Sequence, residues 1–184
     1  MQVLKETTRA KIVESAEKEF KKMGFEKASM RMIAANANMT VGNLYRYYKN
    51  KEKLFGSIVS ELIVELKKLI ADTPEAPKLQ LLDLLSNFKE LQQKYLSEWL
   101  ILFGGSVGTE YKEIADKIHQ TFRNSVVEVI QRSGRSPELA DPIASSIIFG
   151  LNSILQSHET NKRSFELADG FLDYMIVDFA HSVA

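Results

Sequence analysis

Residues 29–54 of this 184-residue chain read SMRMIAANANMTVGNLYRYYKNKEKL. Ser29 is suited to cap a short helix, Met30 to Ala37, that buries Ile33 and Ala34. Asn38-Met39-Thr40 follows, and asparagine tolerates the left-handed backbone that a tight turn between helices requires. Thr40 can then cap a third helix, Val41 to about Tyr48, and Asn50 a longer fourth one. Two helices of about eight residues, joined by a three-residue turn, are the arithmetic of a brace and a projecting helix.

Upstream, Ile12, Ala16, Phe20 and Met23 share one face of a first helix, with Val13 beside them. Gly24 stops that helix, and Phe25 can fold back onto Phe20. Downstream, helix four carries Leu54, Phe55, Ile58, Val59, Leu62, Ile63, Leu66, Leu69 and Ile70 at helical spacing. Asp72 to Pro77 reads as a linker, and a single long helix is expected from Lys78 to about Leu102. Gly104-Gly105-Ser106-Val107-Gly108 breaks it. Stripes from Ile114 to Ile130, Ile143 to Leu155 (opened by Asp141-Pro142) and Phe165 to Phe179 complete the pattern. The chain is all-α: a three-helix N-terminal domain, residues 1–50, and a helical C-terminal domain, residues 51–184, with 51–70 as connecting helix.

Composition agrees. With 9 Gly and 4 Pro, the chain is too poor in turn formers for a turn-rich β fold. Having no cysteine, it can form neither disulfides nor thiolate metal sites. No apolar run approaches a membrane span, and the N-terminus lacks a signal peptide's apolar segment, so a cytoplasmic chain is expected. Formal charge is zero, but unevenly spread. Residues 1–56 hold 12 Lys/Arg against 6 Asp/Glu, and residues 57–184 hold 12 against 18. That split fits a basic reading head on an acidic body.

The third helix fits the recognition helix of a helix-turn-helix, whose N-terminal residues meet base edges in the major groove. Leu44 and Tyr48 can face inward. Val41, Asn43, Tyr45, Arg46 and Tyr47 then cover the other faces. Gly42 costs a helix about 1 kcal/mol relative to alanine, which makes sense where the backbone must approach something closely. Lys51, in the first turn of helix four, opposes the helix dipole and suits a phosphate.

From Thr8 to Leu54 these residues resemble the DNA-binding domain of TetR/AcrR-type transcriptional regulators. The resemblance is carried by Ile12 through Phe20 with Gly24-Phe25, Ser29-x-x-x-Ile33-Ala34, Thr40 through Tyr48, and Lys49-Asn50-Lys51-Glu52-x-Leu54. Asn38 stands where the family usually has glycine. Tyr48 replaces the family's phenylalanine, and its hydroxyl needs a partner or a route to solvent. The resemblance implies that Arg31, Val41, Gly42, Asn43, Arg46 and Tyr47 lie at base edges, with Ser29, Thr40, Tyr45 and Lys51 on phosphates. Arg31 or Arg46 can bond guanine, and Asn43 adenine.

It also implies a homodimer through the last two helices, an inverted-repeat operator, and a repressor released by a small apolar or aromatic effector. Gly150 is expected to let helices approach closely in that dimer. Candidate effector contacts are Tyr95, Trp99, Phe103, Tyr111, His119, Phe122, Phe149, Asn152 and Gln156. Control by a protein partner is the alternative, and a small helical enzyme built around Ser106 or His119 is a third reading. No cofactor, metal or enzymatic role is expected. Gly104 to Gly108 matches a nucleophile elbow, but that device needs a strand-to-helix turn. Asp116-x-x-His119 is a single pair where a di-metal site needs several. His158, His181 and the Glu17-Lys18-Glu19 and Lys21-Lys22 face of helix one are expected in solvent.

Overall fold

The computed structural model describes residues 2–71, 77–132, 134, 136–157 and 162–181, without the side chains of 2–4, 77–80, 82, 132, 156, 157, 162, 165 and 176–181. Linker residues 72–76, His158 and the side chains of Gln156, Phe165, Ile176, Phe179 and His181 thus lie outside the description. Among the described residues the helices are α1 Gln2–Lys27, α2 Met30–Asn36, α3 Val41–Tyr47, α4 Lys51–Ala71, α5 Pro77–Lys94, α6 Leu96–Gly105, α7 Lys112–Arg132, α8 Ala140–Ser157 and α9 Lys162–His181. The all-α expectation holds.

The chain forms two compact units. One comprises Met1–Val64 together with Ser97–Glu113, and the other Glu65–Leu96 together with Ile114–Ala184. In the first, Ile12, Ala16 and Phe20 of α1 are buried, as are Ile33 and Ala34 of α2, Leu44 of α3, and Leu54, Phe55, Val59 and Leu62 of α4. Trp99, Ile101 and Leu102 of α6 are buried too. In the second, Phe88 packs its ring on Phe122 at 4.5 Å, and α8 and α9 lie side by side. Gly150 does serve close approach, but inside the chain: a Cβ there would sit 2.6 Å from the Phe171 ring.

The expected stop at Gly24 is present, with φ at +69° interrupting α1. Met23 is 41% exposed rather than core, because the chain turns at the next residue and Phe25 takes the inward place. The Phe25 ring lies 6.2 Å from Phe20 and 5.5 Å from Phe55, and Phe20 meets Phe55 edge-on at 5.1 Å. Edge and offset pairs of this kind each add about 1 kcal/mol beyond their burial.

Two boundaries differ from expectation. The long helix from Lys78 to Leu102 is two, broken at Tyr95, with no Gly or Pro to announce it. Tertiary packing decides here: Tyr95 is buried, and from Ser97 onward the chain belongs to the other compact unit. Likewise Asp141-Pro142 does not open α8. Ser136 accepts a hydrogen bond from Glu138 N and caps a 3-10 turn, Pro137–Leu139, that runs straight into it. Asp141 instead pairs with Arg123 of α7.

Helix α6 also changes the reading of the charged face of α1. Lys18 pairs with Glu14 in solvent as expected. Lys21 Nζ, however, donates to Ser97 Oγ at 2.8 Å, and that hydroxyl donates to Glu17 at 2.8 Å. Gly105 sits so close to Gly24 that a Cβ on it would fall 2.8 Å from Gly24 Cα. Next to Ser97, burial pushes the Glu98 carboxyl above the usual carboxylate range. Its own backbone N–H opposes that rise, the Glu17 and Glu61 charges add to it, and Lys21 opposes it.

A carboxyl with a raised folded-state pKa carries no penalty while both states are protonated. The penalty sets in as pH rises through the ordinary carboxylate pKa and is complete above the folded value. Glu98→Gln should therefore raise the urea midpoint at pH 7, and the gain over the native chain should shrink as pH falls toward 4. A gain independent of pH would contradict this account.

Candidate nucleic-acid interface

Helix α2 is held from behind. Ser15 Oγ donates to Ile33 O at 2.8 Å, and Met30, Ile33, Ala34 and Ala37 are buried. Ser29 occupies the N-cap position, yet its side chain makes no capping bond. Its backbone N–H meets the Glu19 carboxylate at 3.3 Å instead. Asn38 takes φ +54°, the left-handed turn read from the sequence. Thr40 caps α3 by accepting from Asn43 N at 3.2 Å, and Asn50 caps α4 by accepting from Lys53 N at 2.8 Å.

Within α3 only Leu44 is buried. Gly42, Tyr45 and Arg46 are exposed, Tyr45 by 47%, and Val41, Asn43, Tyr47 and Tyr48 are half-buried. Tyr48 is the C-cap residue of α3 and is half-buried, not part of the core. Arg31 is exposed on α2. An open groove of about 430 Å³ is lined by Ala28, Ser29, Met30, Arg31, Val41, Tyr45, Asn50 and Lys51. The structure therefore gathers five of the expected contact residues (Ser29, Arg31, Val41, Tyr45 and Lys51) on one concave surface. The Arg31 guanidinium, the Ser29 and Tyr45 hydroxyls and the Asn50 amide on this groove are donors of the kind that phosphates and base edges accept.

The effector candidates are divided between the two units. Trp99, Phe103 and Tyr111 belong to the unit containing the helix-turn-helix, and Tyr95, His119, Phe122, Phe149 and Asn152 to the other. Trp99 is buried with its ring 4.3 Å from Phe103. Tyr111 stacks on Phe55 at 5.8 Å, and burial raises its hydroxyl pKa, with Glu110 and Glu52 adding to the shift. Phe122 is core, and Asn152 is buried. His119 Nε2 lies 3.1 Å from Ser145 Oγ, and no cluster among the described residues could hold a metal ion.

Phe149 is 68% exposed on α8, a surface position and not a pocket wall. Sequence reasoning missed two polar groups on helices α5 and α7. The Gln92 amide nitrogen and one Glu128 carboxylate oxygen are buried without a hydrogen-bond partner among the described residues. Their only signal was a polar residue breaking an apolar stripe. The Gly104 to Gly108 run ends α6 and turns toward α7, a helix-to-helix loop.

Comparison with known proteins agrees with this geometry. Residues 12–58 match the family of bacterial regulatory proteins called tetR. The chain is 38% identical over 68 residues to an uncharacterized HTH-type transcriptional regulator, YhgD, of Bacillus subtilis, covering 37% of this chain and 35% of that protein. It is 34% identical over 70 residues to the HTH-type transcriptional repressor SCO4008 of Streptomyces coelicolor, covering 38% and 36%. The matched stretch thus spans about a third of the length of these curated relatives. The fold is that of a TetR family transcriptional regulator from Chloroflexus aurantiacus, at a TM-score of 0.64 and 16% identity over 97% of this chain and 92% of that one. Residues 12–58 thus match a TetR-type helix-turn-helix domain, and the chain as a whole shares the fold of TetR-family structures. No helix among the described residues is long and apolar enough to cross a membrane.

Gly42 supplies a test of the surface. A Cβ added there meets nothing within 4 Å, so the fold does not require glycine at this position. Gly42→Ala should leave the chain as stable or up to about 1 kcal/mol more stable, while weakening DNA binding by crowding the approaching duplex. Thermal unfolding and a gel-shift titration would show the two effects moving in opposite directions.

Proposed function

We propose that the chain is a homodimeric transcriptional repressor acting in the cytoplasm, which binds an inverted-repeat operator through α3 and is released by a small molecule. The observation that carries the reading is α3 itself, seven residues with one buried side chain, beside a groove that also presents Ser29, Arg31 and Lys51. Arg31 or Arg46 reads guanine and Asn43 adenine. Val41, Gly42 and Tyr47 complete the base-facing edge, while Ser29, Thr40 and Tyr45 hold phosphates. Residues 1–50 read DNA, and residues 51–184, with 51–70 as connecting helix, serve sensing and dimerisation.

The dimer reading is supported by exposed apolar groups on α8 and α9: Phe149 at 68%, Tyr174 at 71% and Leu167 at 41%. Where such side chains form one contiguous patch, they mark an association surface. A two-fold dimer brings two heads to successive major grooves, which demands a near-palindromic site. The effector reading is supported by the buried, unpartnered Gln92 and Glu128 atoms, in the unit that also buries Tyr95, Phe122 and Asn152. The effector is apolar or aromatic, with one polar end.

Enrichment of duplexes from a random pool by the purified protein tests the reading. An inverted repeat is expected, with half-sites one helical turn or a multiple apart. Its log affinity should fall with log salt by about 0.9 per phosphate contact. Absence of any enriched sequence at low salt would overturn it. Phe149→Glu should yield a folded monomer by light scattering that binds the repeat at least ~100-fold more weakly, the order of linking two sites. A dimer that survives both Phe149→Glu and Tyr174→Glu would remove α8 and α9 as the interface.

A further inference from the structure

Lys51 was expected on a phosphate, but its ammonium is already engaged within the chain. Nζ donates to three backbone carbonyls, Phe25 O at 2.5 Å, Ala28 O at 3.0 Å and Glu26 O at 3.2 Å. An ammonium has three protons, so these contacts use its whole donor capacity. The same group stands 4.3 Å from the centre of the Phe25 ring. The three carbonyls belong to the segment between the Gly24 break and the start of α2. There the helix leaves carbonyls without intrahelical partners, and its negative dipole end favours a cation. A lysine misplaced for its own helix is thus well placed for another. Ser29 and Arg31 follow that segment directly and line the same groove as Lys51. Ser29 makes no capping bond of its own, so the carbonyl cradle, with Glu19 on the Ser29 N–H, holds the start of α2.

We infer that Lys51 is a positioning residue of the DNA-reading surface: by tying the backbone of residues 25–28 to the start of α4, it sets where Ser29 and Arg31 stand against α3, without itself contacting DNA. To reach a phosphate it would have to release a carbonyl and its place over Phe25. Lys49 and Lys53, on either side, are exposed and free to meet solvent or phosphate.

The first measurement is acetylation of lysines in the full chain without DNA, read by mass spectrometry. Lys51 should react at least ~10-fold more slowly than Lys49 and Lys53, as a group fully engaged in hydrogen bonds does. Equal reactivity would overturn the inference. The second uses Lys51→Met, which keeps an unbranched apolar stem over Phe25 and removes all three donors. Binding is measured to the duplex that the native protein enriches from a random pool, and to a shuffled duplex of the same composition.

The preference for the enriched duplex should fall about tenfold, the size of one lost base contact, while the salt slope stays unchanged. A slope lowered by about 0.9, with equal losses on both duplexes, would make Lys51 a phosphate contact and overturn the inference. A lowered melting temperature with preference and slope unchanged would reduce it to a stabilising contact and overturn it equally. The inference rests on the DNA-binding reading. A pool from which nothing is enriched defeats both together, whereas rapid Lys51 acetylation defeats the positioning role alone.

Discussion

The joint between α1 and α4, where Phe20, Phe25 and Phe55 meet, is the contact on which the rest of the head depends. Phe25 reaches it because Gly24 adopts a backbone angle that a side chain would resist, and this turns the chain back at the end of α1. Lys51 then closes the joint from the polar side, lying over the Phe25 ring and gathering the carbonyls that the turn exposes. Apolar packing and satisfaction of the backbone are solved at one place. Aromatic burial supplies stabilisation without direction, whereas the three carbonyl bonds fix an orientation.

That joint frees α3 from structural duty. With Phe20, Phe55, Ile33 and Leu54 forming the interior, the third helix contributes Leu44 and little else to the core. Its remaining side chains stay available, and Gly42 is a residue that neither helix stability nor packing explains. A position that lowers stability without a structural return is where a functional constraint is expected to show. The neighbouring Ser97–Glu113 segment packs into the same unit: Tyr111 covers Phe55, Ser97 links Lys21 to Glu17, and Gly105 touches Gly24. The head is therefore larger than its own stretch of sequence.

Local signals were legible wherever short-range geometry decides the outcome. The Gly24 stop, the left-handed Asn38, the Thr40 and Asn50 caps and the buried Leu44 could all be read from neighbouring residues, because each depends on a span of about four. The break at Tyr95 could not, since residues 94–96 contain no breaker, and the reason for the break lies in where each side packs. The charged face of α1 looked solvated for the same reason: no local pattern announces that Ser97 will arrive between Glu17 and Lys21. The aromatic and polar residues assigned to one effector site proved divided between two compact units, because a stripe at helical spacing reports that a side chain turns inward but not which interior it enters.

By itself, then, the sequence determined that the chain is helical, where the helix-turn-helix lies, and that Leu44 anchors its third helix. These properties follow from periodicity, caps and turn chemistry, all set within one or two helical turns. Only the tertiary structure decided that α5 and α6 are separate, that α6 joins the head, and that Lys51 spends its charge on the chain's own carbonyls. Those outcomes depend on groups distant in sequence arriving at the same point. A lysine's identity announces a cation, and only its surroundings say whether a phosphate or a helix end receives it.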